Sequence, residues 1–82
     1  MVPWARSQLA IAYDIIDNPG GGLVFASQTI GQVKAAFQEH DPDGYRRQIE
    51  LLEQAEDCAV RREYQRSREL ITETIDLLGQ TT

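Results

Sequence analysis

Residues 45–78, YRRQIELLEQAEDCAVRREYQRSRELITETIDLL, run without one proline or glycine, and their reading decides the fold. Tyr45, Ile49, Leu52 and Ala59 form a seam at four- and three-residue steps, interrupted by Glu56. That spacing lines side chains along one face of an α-helix. Val60, Tyr64, Ser67, Ile71 and Leu78, with Thr74 or Ile75, continue the pattern one residue out of phase. The slip has two readings: one long helix with a stutter, or two helices meeting in a tight turn around Val60-Arg61-Arg62-Glu63. A single helix here would be about three times the usual length in a compact domain, which favours the hairpin. None of those four residues is a turn former, which keeps the long helix open. On either reading the class is all-α.

Upstream, Asp41-Pro42-Asp43-Gly44 restarts the chain. Asp41 is a good N-cap, Pro42 suits the first helical position, and Asp43 suits the positive end of the helix dipole. Ile30, Val33 and Phe37, with Ala36 beside them, mark a helix over about 28–40, opened by Thr29-Ile30-Gly31-Gln32 in the pattern of a capping box. Pro19-Gly20-Gly21-Gly22 and the apolar Leu23-Val24-Phe25 read as a loop over 19–26 pinned onto the core, because a lone strand would find no partner. The first helix is predicted from Pro3 to Asn18, ended by Pro19. Leu9, Ala12, Tyr13 and Ile16 make one apolar face of it, and Trp4, Ile11 and Ile15 a second. A helix apolar over so wide an arc is covered on more than one side. The expectation is one domain, 1–82: a small three- to four-helix bundle with helices over 3–18, 28–40, 42–60 and 62–79, the last two forming a long helix or a helical hairpin.

Within the C-terminal segment, Leu51, Ala55, Cys58, Tyr64, Ser67, Ile71 and Thr74 fall at spacings similar to the helix–turn–helix unit of a tetratricopeptide repeat. The resemblance covers residues 48 to 78, a single repeat, with Ser67 and Thr74 where that family has alanine and Arg62 where it prefers glycine. It implies the packing of a helical hairpin. A lone repeat cannot bury both its faces, so no binding residues follow from it.

Composition narrows the function classes. Thirteen acids against eight bases give a net charge of −5, which disfavours a free-standing nucleic-acid binder and adsorption to an anionic membrane. The apolar run Leu9-Ala10-Ile11-Ala12-Tyr13 stops at Asp14, shorter than a signal peptide needs, and no run approaches a membrane span. One cysteine, Cys58, precludes an internal disulfide and suits a reducing compartment, so the expected location is cytoplasmic. Eighty-two residues is near the lower limit for a single core, so docking onto a partner or onto a second copy would add stability.

No catalytic, cofactor or metal site is expected. His40 and Cys58 are single residues separated by a helix start, with no third group to orient a nucleophile. Asp41-Pro42-Asp43-Gly44 resembles the opening of a calcium loop, but the twelfth position is Leu52 rather than a bidentate glutamate. The glycines at 20–22 lack the strand and Lys-Ser/Thr of a phosphate loop; they read as a chain reversal.

What remains is binding. Two surfaces are candidates for docking another protein or a second copy: the second face of the first helix (Trp4, Ile11, Ile15) and the arginines Arg61, Arg62, Arg66 and Arg68. Arginine suits bidentate carboxylate contacts and interface hot spots. Trp4 is either pinned onto the core or exposed for a partner, the core being the preferred placement. The leading expectation is a non-catalytic protein-binding module, an adaptor or a regulator or inhibitor of a larger protein. An alternative uses the carboxylates. Glu50, Glu53 and Asp57 share one helix face, and Glu69, Glu73 and Asp76 another. An acidic helical surface can fill the nucleic-acid-binding groove of a target, as small inhibitors from phage and mobile elements do. Direct DNA binding by a helix-turn-helix carrying Gln28, Gln32, Lys34 and Gln38 is a third reading, weakened by having only Arg6 and Lys34 as bases before Arg46.

Overall fold

In the computed structural model four helices follow one another: α1 (Val2–Ile15), α2 (Gly22–His40), α3 (Arg46–Val60) and α4 (Tyr64–Gln80). The structure describes residues 1–80, with no strand among them; residues 81–82 of the expected domain lie outside the described residues. Each helix packs against its neighbours in the chain, and α4 closes the ring against α1 along the sparsest of the four seams. Leu9, Ile16, Ile30, Phe37, Leu51, Leu52, Leu70, Ile71 and Leu78 fill the middle. The protein is thus a small all-α bundle of four helices.

The C-terminal segment is a hairpin, and the phase slip in its sequence is the turn itself. Arg62 stands at φ 63°, in the left-handed region. Its N–H donates to the Ala59 carbonyl at 2.9 Å, and the next N–H, of Glu63, donates to the Cys58 carbonyl at 2.8 Å. These two bonds satisfy carbonyls that the end of α3 would leave unpaired, in the arrangement known as a Schellman motif. Glycine normally occupies the left-handed position because it has no Cβ to clash; arginine holds it here. Val60, expected in the second seam, is instead the most exposed large apolar residue, at 74%, because α3 ends with it and the chain turns away.

Across the hairpin, Ser67 Oγ donates to the Ala55 carbonyl at 2.9 Å, and Thr74 Oγ1 donates back to Leu70 O at 2.8 Å. Both side chains are fully buried, and small satisfied hydroxyls there let α3 and α4 approach closely. Glu56, which interrupts the α3 seam, is half-buried at the α2–α3 boundary. Lys34 Nζ stands 2.7 Å from its Oε1. The approach is off the hydrogen-bonding direction, and that buried oxygen has no hydrogen-bond partner among the described residues, so the contact is an ion pair.

Three expected boundaries are corrected. α2 begins at Gly22, not near residue 28, so residues 22–26 are helix and not loop. The reversal is completed by Gly20 and Gly21, at φ 80° and 106°, and Phe25 N–H already bonds to Gly21 O at 3.1 Å. Helical growth from there puts Leu23 and Ala26 in line with Ile30, Val33 and Phe37 against the core. Thr29-Ile30-Gly31-Gln32 therefore sits inside the helix and caps nothing. α1 ends at Ile15 rather than Asn18, with Asn18 N–H donating to Ile15 O at 2.9 Å. α3 is regular only from Arg46. Asp41 does cap, its Oδ1 accepting from Gly44 N–H at 3.0 Å, but it caps a separate turn, because Tyr45 leaves the helical region at φ −109°, ψ 22°.

Two substitutions test these turns. Arg62→Gly removes the left-handed strain and should stabilise the fold by about 0.5–1 kcal/mol, read as a higher urea midpoint, with Arg62→Ala giving no such gain. Gly22 is buried where a Cβ would meet the Ile15 carbonyl oxygen and the Asn18 side chain. Gly22→Ala should therefore cost about 1–3 kcal/mol by overpacking, lowering the same midpoint.

Candidate functional site

The two N-terminal helices leave large apolar side chains outside the core. Trp4 is 42% exposed, Ile11 49% and Phe25 61%; Ile15 is half-buried at the core margin. The core placement expected for Trp4 is thus not realised. Its side of α1 is fixed by elimination. The flank of α1 bearing Arg6 and Tyr13, followed by Asp17 just past its end, is turned to α4, where Arg68 binds the last two and Arg6 lies beside Gly79. Trp4, Ile11 and Ile15 occupy the opposite flank, towards α2. On α2, Lys34 faces α3 through Glu56, and Phe25 stands half a helical turn round from Lys34, hence on the α1 side. The predicted face of α1 and Phe25 thus lie along the same outer flank of the α1–α2 pair. Phe25, expected in a loop pinned onto the core, is instead an exposed helical residue; the three- and four-residue stripe from Leu23 to Phe37 is the signal that places it outside the core.

The expected arginine surface divides. Arg61 Nε donates to Glu63 Oε2 at 2.8 Å, and its Nη2 reaches Cys58 Sγ at 3.8 Å; the Glu63 hydrogen bond, then that to Cys58, holds the guanidinium above its ordinary pKa. Arg66 pairs with Glu69 at 3.3 Å. Arg68 is committed inward: its two terminal nitrogens grip Asp17 at 2.9 and 3.3 Å, its Nε donates to the Tyr13 carbonyl at 2.9 Å, and its guanidinium lies 5.3 Å from the centre of the Tyr13 ring. It is a clamp between α4 and the end of α1. Of the four, Arg62 alone has no ion pair among the described residues.

The acidic residues border two different grooves. Glu53 and Asp57 line a shallow one at the α2–α3 seam with Lys34 and Glu56. Glu69, Glu73 and Asp76 line another, where α4 meets Tyr13 of α1. Arg47 links the two helices that carry them, 3.6 Å from Glu50 and 3.5 Å from Glu73.

The structure does not bring His40 and Cys58 together. His40 ends α2 beside Tyr45, which stacks on Phe37 at 4.5 Å, whereas Cys58 is buried at the far end of α3. Among the described residues no group of three His, Cys, Asp or Glu side chains is placed to hold a metal ion, and no helix is long and apolar enough to cross a membrane. No protein-family model matches the chain, and no curated protein or solved structure is significantly similar to it.

The Arg68 clamp is the principal polar tie across the α1–α4 seam. Arg68→Ala should destabilise the protein by about 1–2 kcal/mol, the range for charge-assisted bonds at a partly exposed site. Arg68→Lys should recover only part of this, because an ammonium cannot grip a carboxylate in two places. A double-mutant cycle with Asp17→Asn, read by urea unfolding, isolates the pair.

Proposed function

We propose that this chain is a non-catalytic protein-binding module, an adaptor or regulator that docks through the outer face of α1 and α2. The observation that carries the reading is the exposure of Trp4, Ile11 and Phe25 on one flank of a bundle whose core closes without them. Large aromatic and branched side chains held in water on a rigid helical face are the raw material of interface hot spots. α3 and α4, by contrast, divide cleanly into a buried apolar stripe and a charged outer face, as helices with one covered side do.

The other readings draw less support from the geometry. The carboxylates of the acidic reading are partly neutralised, because Glu50, Glu69 and Glu73 are already paired with arginines. Lys34, the base of the candidate recognition helix, is engaged with Glu56. A cytoplasmic setting fits the single buried thiol of Cys58.

Affinity capture of binding proteins tests the reading. Ile11→Asp and Phe25→Glu should each weaken capture about tenfold or more, with little dependence on salt, while Glu50→Lys, Glu53→Lys and Asp57→Lys together leave it intact. Capture lost to the lysines and to salt, but kept by the two apolar-face variants, would instead support the acidic inhibitor.

A further inference from the structure

We infer that the occupant of the α1–α2 face is a second copy of this chain, so that the protein is a face-to-face homodimer; the inference rests on the reading of that face as a protein-docking surface. The argument starts from where the charge lies. Only Arg6, Asp14, Asp17, Lys34 and Glu39 precede residue 41, against sixteen charged side chains from Asp41 onward. Three of those five are turned away from the face. Asp17 is held by Arg68, Lys34 by Glu56, and Arg6 lies beside Gly79. Asp14 and Glu39 are left at its rim. A strongly basic or acidic partner finds almost nothing there to pair with, and complementary charge is what recruits such partners.

A second copy fits the same facts. Two chains of net charge −5 repel one another, and apposing their α1–α2 faces keeps the charged α3–α4 hairpins on the outside of the pair. Trp4, Ile11 and Phe25 supply the face's exposed apolar area, whereas Tyr13 is turned to α4 beside Arg68 and Val60 lies on the other hairpin. A stable complex buries about 800 Å² per partner, so the contact takes in most of one side of a bundle 34 × 20 × 19 Å across. The contact would be isologous, the same patch used by both copies, and would close at two. It would display two charged hairpins on opposite sides, a bivalent arrangement for an adaptor.

Light scattering coupled to size exclusion, run over a range of protein concentrations, tests this. The wild-type chain should reach twice its chain mass, and Ile11→Asp and Phe25→Glu, both at exposed positions and with unchanged helical circular dichroism, should shift the dimer to monomer. Val60→Asp, on the other hairpin, should leave the dimer in place. Trp4 is the sole tryptophan, so its emission should move to the blue as wild type is concentrated and stay fixed in Phe25→Glu. A monomer at every concentration, or a dimer that survives both substitutions, overturns the inference. Should the monomer still capture another protein in a manner abolished by Ile11→Asp, the docking face stands and only its occupant was wrong. If those variants change neither mass nor capture, the docking reading falls as well.

Discussion

Arg62 occupies a backbone conformation that L-residues with a side chain adopt at a cost of about 1 kcal/mol, and the bundle depends on its doing so. With φ at 63° the chain reverses within three residues, between Val60 and Tyr64, and two carbonyls at the end of α3 find donors in the process. Only so tight a reversal lays Ser67 against the Ala55 carbonyl and brings Arg47 within reach of Glu73. The strain is tolerated because Leu51, Leu52, Leu70 and Ile71 on the two arms are buried together, and the burial of each such side chain contributes more than the turn loses. α1 and α2 then close over the apolar side that this hairpin presents.

Much of this was legible in the chain, and the misses have specific physical causes. The absence of proline and glycine over residues 45–78 predicts helix, and the out-of-phase seams fit both the α3–α4 turn and a stuttered long helix; the turn's chemistry is hidden because arginine stands where glycine would announce it. Of the seven positions similar to a tetratricopeptide hairpin, all but Tyr64 are buried, so that spacing located the α3–α4 packing well. The start of α2 was concealed in the opposite way: three successive glycines look like the heart of a loop, whereas Gly22 is the first residue of a helix, chosen for close contact with Ile15. Asp41 caps as its type suggests, one turn too early. On the surface, the second face of α1 was readable from periodicity alone. The fate of Arg68 was not, since its partner Asp17 lies 51 residues away and no local pattern reports such a contact.

The molecule is consequently two hairpins of different character. The C-terminal one has a single apolar stripe and an outer surface laced with short-range pairs, Arg46–Asp43, Arg47–Glu50 and Arg66–Glu69 among them, each worth a few tenths of a kcal/mol at most. Those pairs shape the surface rather than hold the fold. The N-terminal hairpin carries few charges and more apolar surface than the core can absorb. An 82-residue chain has little stability to spare, and keeping that surface in water is a standing liability unless something covers it.

The thin α1–α4 seam gives that liability a dynamic side. Four helices in a ring open first where contact is least, and here that is the line latched by Arg68 at one end. A local opening that frees α1 starts along this line and must then part α1 from α2, giving a swung-out state distinct from the docked one. A molecule seated on the outer face formed by α1 and α2 recognises only the docked state, since the face exists only while the two helices are side by side. By linkage, its binding raises the cost of opening in proportion to the logarithm of its concentration. Occupancy of one side of α1 is thus written into the breathing of the other, and the amide hydrogens of α1 become a gauge of whether the face is covered.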